Sequence, residues 1–458
     1  LEAHLRSLGK FIIDEEDVGK LISADKVPVP PGAEIARKSG FEPLAKQMEP
    51  KLKFYPEKDI TGKSRCTGSV EDFLNYFRDR LERCRHSFKI RNSKLPVVDL
   101  SKVKDWEAKD IRLVALVKEK GMTKNGNLKV VLEDEWGTIN AIFSTRNKGS
   151  LEKAKALLLD EAVAVEGKVA GEFMWANDVI WLDLPVARQQ KQSERDIGIM
   201  YLSDLHFGSR FFMEHNFSHL INWLKGNEGR TELAGKIKYL IIDGDIVDGV
   251  GVFPGQEKEL TIPDVFKQYE AFDLAMEQMP DYIEVIVTPG NHDAVRRCEP
   301  QPAISREMIK SKAHLLGNPS WVDIEGLKHL VYHGTSLDSL IAAIPSMSYH
   351  APEHPMIESL KRRHLSPIYG DGGGVIIPEE KDFMIIDEEP DVLHMGHVHK
   401  NAIAMYRGTV VINSGTFQGR TDYQVRRGHI PTPCIATVYE PHTGKISQLD
   451  FSGHPKQT

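Results

Sequence analysis

Tyr239-Leu240-Ile241-Ile242-Asp243-Gly244-Asp245-Ile246-Val247-Asp248 is the stretch whose reading decides the fold. An unbroken apolar run of this length suits a strand covered on both faces, as in the sheets of α/β proteins. Carboxylates begin where the run stops, so they fall at a strand end, along the sheet edge where such proteins gather their sites. Outward from here the same form recurs. Ile197-Gly198-Ile199-Met200-Tyr201-Leu202 leads into Ser203-Asp204-Leu205-His206, and Ile283-Glu284-Val285-Ile286-Val287 into Thr288-Pro289-Gly290-Asn291-His292-Asp293. Leu330-Val331-Tyr332 leads into His333-Gly334, and Val392-Leu393-His394-Met395 into Gly396-His397-Val398-His399. An α/β domain over residues 191–458 is expected, with one cluster of side chains at its strand ends.

The residue types in that cluster point to metal chemistry. Asp-x-His and His-x-His place two ligands two residues apart, which in extended chain puts both on one side. Glycines before Asp245, Asn291 and His397 allow tight turns and close backbone approach. The donors are carboxylate, imidazole and amide oxygen without thiolate, a mix that suits Mn²⁺, Fe²⁺ or Zn²⁺ in an open catalytic site. Asp204, His206, Asp245, Asn291, His333, His397 and His399 are too many for one ion that leaves room for substrate. They suit two divalent ions sharing a bridge. We assign Asp245 as that bridge, with Asp204, His206 and His399 completing one ion and Asn291, His333 and His397 the other. Such a pair supplies a nucleophile at neutral pH and clamps the phosphoryl oxygens during in-line attack. His292, beside a ligand, is the candidate to protonate the leaving alkoxide or steady the charged phosphorane-like state. A single histidine of this kind is more often a core or surface residue; five ordered motifs at strand ends are not coincidence.

Upstream the grammar changes. Residues 1–64 read as an irregular lead-in, in which a short helical start is broken by Val27-Pro28-Val29-Pro30-Pro31-Gly32. Residues 65–190 read as a helix plus a small OB-fold barrel. The helix starts at a capping-box-like Ser69-Val70-Glu71-Asp72, and its Arg78, Arg80, Arg83, Arg85 and Lys89 are read as a solvated face. Strands are expected at 111–117, 128–133, 138–143, 162–169 and 178–182, with a helix over 150–159 and an Asn125-Gly126 turn. Three strands, a helix and two strands is the OB-fold order. With few aromatics for a binding face and several acidic residues, the barrel is read as docking a partner.

Composition sets the limits. A chain of 458 residues with 41% apolar content supports two or three folding units. No run approaches the roughly 18–20 apolar residues a bilayer span needs, and no secretory signal opens the chain, so no membrane partner is expected. Four cysteines without CxxC spacing exclude a zinc ribbon and suit a reducing cytoplasm. A net charge of −7 excludes a general nucleic-acid coat protein, so any DNA contact must be local.

The motifs Asp204-x-His206, Gly244-Asp245-x-x-Asp248, Gly290-Asn291-His292-Asp293, His333-Gly334 and Gly396-His397-x-His399 resemble the calcineurin-like metallophosphoesterase superfamily. Residues 248–256 and 291–302 are similar to the small (exonuclease) subunit of archaeal family-D DNA polymerases. The resemblance implies a two-sheet α/β sandwich with helices outside, preceded by the OB-fold. It also implies a proofreading 3′→5′ exonuclease with two divalent ions, most simply Mn²⁺, working on single-stranded or frayed 3′ ends beside a large catalytic subunit. A catalytically vestigial scaffold subunit and a small-molecule phosphodiesterase of the same superfamily are the alternatives; the complete ligand set disfavours the first and the upstream barrel the second. Arg296 and Arg297 are candidate phosphate contacts. Lys361-Arg362-Arg363-His364 reads as a solvated helix end, Asp371-Gly372-Gly373-Gly374 as a flexible loop, and Asp248 as a residue supporting a ligand.

Overall fold

All the apolar runs form strands in a computed structural model that describes residues 41–90, 94–370 and 375–453. The 27–32 interruption and the 371–374 loop lie outside the described residues. Gly198–Leu202, Ile237–Asp243 and Glu284–Thr288 run parallel and adjacent, with Met200 and Val285 flanking Leu240. His314–Leu315 on one side and the hairpin Ile435–Glu440/Lys445–Asp450 on the other make this a six-stranded sheet. A second six-stranded sheet has Leu327–Val331, Val392–Met395 and Thr409–Ser414 parallel at its centre. Ser320–Ile324 and Asn401–Tyr406 flank them, and Leu52–Phe54, from the expected lead-in, forms an edge with Lys53 opposite Asp323.

The sheets pack face to face. Tyr201, Tyr239, Ile241 and Ile286 of the first meet Val322, Val331, Val392, Val410 and Ile412 of the second in one buried core. The two-residue period of a strand sends Leu240 and Ile242 to the opposite face, where they are equally buried. On the outer face of the second sheet, Leu330, Leu393 and Val411 pack against Leu337 and Leu340 of helix Leu337–Ala343 and Met356 and Leu360 of helix Glu353–Arg362. Each such side chain contributes about 1.5–3 kcal/mol by leaving water. Both sheets therefore hold their strand ends, and the loops that follow, in fixed register.

Residues Pro43–Thr458 make one compact unit, and within it the barrel has its own core. Strands Asp110–Met122, Leu128–Asp134, Gly137–Phe143, Phe173–Ile180 and Ala162–Ala170 are neighbours in that order, and the last pairs back onto the first to close the sheet. Three elements differ from expectation, the first strand running on past Val117 to Met122 across an irregularity in its pairing. The final strand begins at Phe173, since Phe173-Met174-Trp175-Ala176 alternates outward and inward; its outward residues are aromatic, which hides the polar/apolar rhythm. The helix Lys148–Lys155, capped by Asn147, ends short of Leu159, because Leu157 and Leu158 leave it to enter two different cores. The Asn125-Gly126 turn is as expected, with Gly126 at φ +77°.

Two basic clusters expected at the surface are buried in part, although Arg78 and Lys89 of the first are exposed as expected. In helix Val70–Ile90, Arg80 is fully buried. Its Nε lies 2.7 Å from Asp382 Oδ2, its Nη1 donates to the carbonyls of Asp160 and Pro367, and its Nη2 to Tyr76 Oη. Arg362, Arg363 and His364 are also buried rather than solvated. Arg362 Nε is 2.9 Å from Glu161 Oε2, Arg363 pairs with Glu389 at 3.0 Å, and His364 Nε2 is 2.8 Å from Asp382 Oδ2. Arg80 and Arg362 join the barrel, through Asp160 and Glu161, to the sandwich. Among the described residues no helix is long and apolar enough to cross a membrane.

Candidate metal centre

All seven expected ligands converge where the strand-end loops of the two sheets meet. The loops do not hold them in the extended conformation that the x-spacing suggests. Asp204, His206, Asp245, His397 and His399 are all left-handed, with φ of 52°, 56°, 49°, 67° and 56°. Asp and His enter this region more readily than most residues, at a cost of order 1–3 kcal/mol each that the surroundings must offset. Here the loops stitch to one another: Asp204 N–H donates to Gly244, His206 N–H to Asp245, Gly244 N–H to Thr288 and Gly396 N–H to His333, each at 3.0 Å. The tight alternation of left-handed residues, rather than a strand pleat, brings both members of each pair to the same place.

The seven candidate residues form two groups. In one, His206 Nε2 and His399 Nε2 are 3.1 Å apart, with Asp204 Oδ1 3.3 Å from His399 Nε2. In the other, Asn291 Oδ1 is 3.2 Å from His333 Nε2 and 3.0 Å from His397 Nδ1. Asp245 lies between: its Oδ2 is 3.3 Å from His333 Nε2 and 3.9 Å from His206 Nε2. Burial opposes ionisation of Asp245, yet the imidazoles of His333 and His292 more than offset it and hold the carboxyl well below its usual range. Burial likewise opposes a charge on His333, and Asp245 reverses this, raising it well above the ordinary imidazole value.

Close packing explains the glycines. A Cβ on Gly244 would stand 2.3 Å from His333 Nδ1, one on Gly290 2.2 Å from Asp245 Oδ1, and one on Gly396 2.5 Å from Asp204 Oδ2. What the glycines admit is therefore the ligands of neighbouring loops. Gly290→Ala is expected to displace the Asp245 carboxylate. Affinity of the cluster for a divalent cation, read by calorimetry, should fall at least about tenfold, the scale on which misoriented ligands weaken a site.

Further residues fix the ligands. Asp248 Oδ1 is 3.1 Å from His206 Nδ1, and the carboxylate also accepts from the side-chain amides of Gln256 and Gln418. Asp293 accepts from Gly290 N–H and Tyr269 O–H, clamping the Asn291-His292 loop. Behind His333, Asn318 Oδ1 accepts its N–H, while Glu299 receives the hydroxyls of Tyr332 and Thr335. Asp338 Oδ2 is 3.2 Å from His397 Nε2, and Gln424 Nε2 is 2.8 Å from His399 Nδ1. Sequence reasoning missed Asp338, Gln418 and Gln424, since each belongs to a segment without a repeated motif and only the fold brings it near. His292, the expected non-ligand, has its N–H on Asp245 Oδ1 and its Nδ1 2.8 Å from the Asp248 carbonyl. Burial lowers its pKa.

The cluster opens into a cavity of about 860 Å³. Arg297 lines it, with Nη2 donating to the Gly251 carbonyl. Arg296 is otherwise engaged: it pairs with Glu379 at 3.1 Å and donates to Ser64 Oγ and the Pro300 carbonyl. Phe253 and Tyr423 line the same cavity with rings near parallel at 6.3 Å, and Phe253 is 6.3 Å from the His292 ring.

The residues fit divalent ions. Asp204 Oδ1 is buried without a hydrogen bond, and four imidazole nitrogens converge on oxygen donors or on one another. Nitrogen and oxygen atoms gathered this way suit a cation, and the absence of thiolate favours a hard or borderline one.

Residues 199–403, which span most of these loops, match the B-subunit family of DNA polymerases alpha and epsilon. The chain is 42% identical to the DNA polymerase II small subunit of Archaeoglobus fulgidus, over 86% of this chain and 80% of that one. It is 40% identical to the protein of that name from Methanocaldococcus jannaschii, over 86% and 68%, and 35% identical to that from Methanothermobacter thermautotrophicus, over 90% and 85%. Likeness of this degree, running through barrel and sandwich alike, places the chain in the family of archaeal DNA polymerase II small subunits.

Proposed function

We propose that the chain is the 3′→5′ exonuclease of a replicative polymerase, hydrolysing DNA phosphodiester bonds at single-stranded or frayed 3′ ends beside a large catalytic subunit. The observation that carries this reading is the pair of ligand groups sharing Asp245 at the mouth of an open cavity. We read the sandwich, residues 191–458, as a calcineurin-like phosphoesterase domain. The closed barrel within 65–190 is read as an OB-fold, on its strand order and its parallel pairing of Gly137–Phe143 with Phe173–Ile180.

Asp204, His206 and His399 would hold one divalent ion, Mn²⁺ by preference, and Asn291, His333 and His397 a second, with Asp245 between; ions held there would supply a water-derived nucleophile and offset phosphate charge. The chain's own residues do the rest. The imidazolium form of His292 donates Nδ1–H to the Asp248 carbonyl, keeping Nε2 toward substrate, and gives its Nε2 proton to the leaving 3′ oxygen; burial, which lowers its pKa, makes that proton easier to lose. Arg297 meets a backbone phosphate. Phe253 and Tyr423 offer ring faces on which an unpaired base stacks, worth about 1–3 kcal/mol per base.

Substrate choice tests this. With Mn²⁺, single-stranded DNA should be degraded far faster than a chromogenic phosphodiester or a cyclic dinucleotide. His292→Ala should lower DNA hydrolysis by about 10²–10⁴-fold with metal content unchanged. Preference for the small substrates, or full activity in the His292 variant, would overturn the reading.

A further inference from the structure

We propose that Asp338 is the positioning residue of the second metal group, fixing which nitrogen of His397 faces the ion; this rests on the metal-site reading above. Each imidazole in the cluster has two nitrogens, and the one that binds a cation must be bare. The partner of the other nitrogen decides which that is. His206 gives Nδ1 to Asp248, and His333 gives Nδ1 to the Asp243 carbonyl at 3.1 Å, so both present Nε2. His397 is reversed. Its Nε2 is 3.2 Å from Asp338 Oδ2, while Nδ1 faces Asn291 Oδ1 at 3.0 Å. A carboxylate only accepts, so the proton sits on Nε2 and the lone pair of Nδ1 is turned into the site.

Asp338 is itself held. Tyr349 Oη donates to its Oδ1 at 2.9 Å, and the Tyr349 ring packs on His429 with centroids 4.3 Å apart. Asp338 belongs to the helix Leu337–Ala343, directly after the His333-Gly334 turn. The same short segment thus delivers one ligand of the second group and orients another. Asp338 meets neither histidine of the first group, where His206 Nδ1 lies 3.1 Å from Asp248 Oδ1 and His399 Nδ1 2.8 Å from Gln424 Nε2, so its influence is confined to one ion.

The test is Mn²⁺ titration by calorimetry of the full chain, wild type against Asp338→Asn and Tyr349→Phe, with thermal unfolding recorded in parallel. Wild type should bind two ions. Asp338→Asn, nearly isosteric but able to present an amide N–H to Nε2, should weaken one binding step by about 10–100-fold and leave the other unchanged. Its unfolding midpoint without metal should match wild type. Tyr349→Phe should weaken the same step less. Two unaltered steps in Asp338→Asn would overturn the inference, as would equal weakening of both steps with a lowered midpoint, the mark of a general structural role. A wild-type chain that binds no ion pair would instead refute the metal-site reading on which the inference rests.

Discussion

Asp245→Ala is expected to abolish DNA cleavage, lowering it at least about a thousandfold, as befits loss of the group on which both charge-stabilising centres depend. Asp245 lies within reach of both groups, so its loss should weaken both Mn²⁺ binding steps, unlike the single-step effect expected at Asp338. The fold should survive. Outside the imidazoles, the Asp245 side chain accepts a hydrogen bond from the His292 N–H, and removing the carboxylate relieves its repulsion with Asp204 and Asp293. Its unfolding midpoint without metal should fall but the transition should stay cooperative, since the ionised carboxylate is held by the imidazoles around it. Cleavage at even a tenth of the wild-type rate would show that Asp245 is not the bridge.

The second large effect is on stability and lies far from the cleft. Arg80→Ala is expected to destabilise the chain by about 3–5 kcal/mol, the cost of leaving a buried charge without its partner. Burial opposes ionisation of Asp382, but His364 and Arg80 together hold its carboxyl far below the usual range. Without Arg80, Asp382 keeps His364 and the Met384 N–H, while Tyr76 Oη and the Asp160 and Pro367 carbonyls lose a donor. Urea unfolding followed by circular dichroism reads the difference. Metal affinity of the folded variant should be unchanged, and a loss below about 1 kcal/mol, the range of exposed pairs, would contradict the burial argument.

These two residues show what sequence makes legible. Asp245 follows an apolar run and a glycine, and local grammar suffices to place it at a strand end. The four companion motifs obey the same grammar, so the central strands of both sheets and the convergence of seven candidate ligands are readable from it. The conformation of the ligand loops is not: Asp-x-His fits a pleat on paper, yet both residues are left-handed because the neighbouring loops' hydrogen bonds select that geometry. Arg80 is the opposite case. Its partner Asp382 is 302 residues away, and no helical periodicity distinguishes a buried arginine from the solvated ones beside it. Asp338 and Gln424 escape for the same reason. Arg296 and Arg297 are adjacent in sequence, but only Arg297 lines the cavity, a distinction made by Glu379 on a distant loop.

The most direct measurement is digestion of a single-stranded DNA labelled at its 5′ end, with Mn²⁺, by the chain alone and together with its large subunit. Products should form a ladder shortening one nucleotide at a time from the 3′ end, absent with Asp245→Ala and abolished by chelation. Immediate release of the labelled 5′ nucleotide, or no degradation with any divalent ion in either setting, would contradict it.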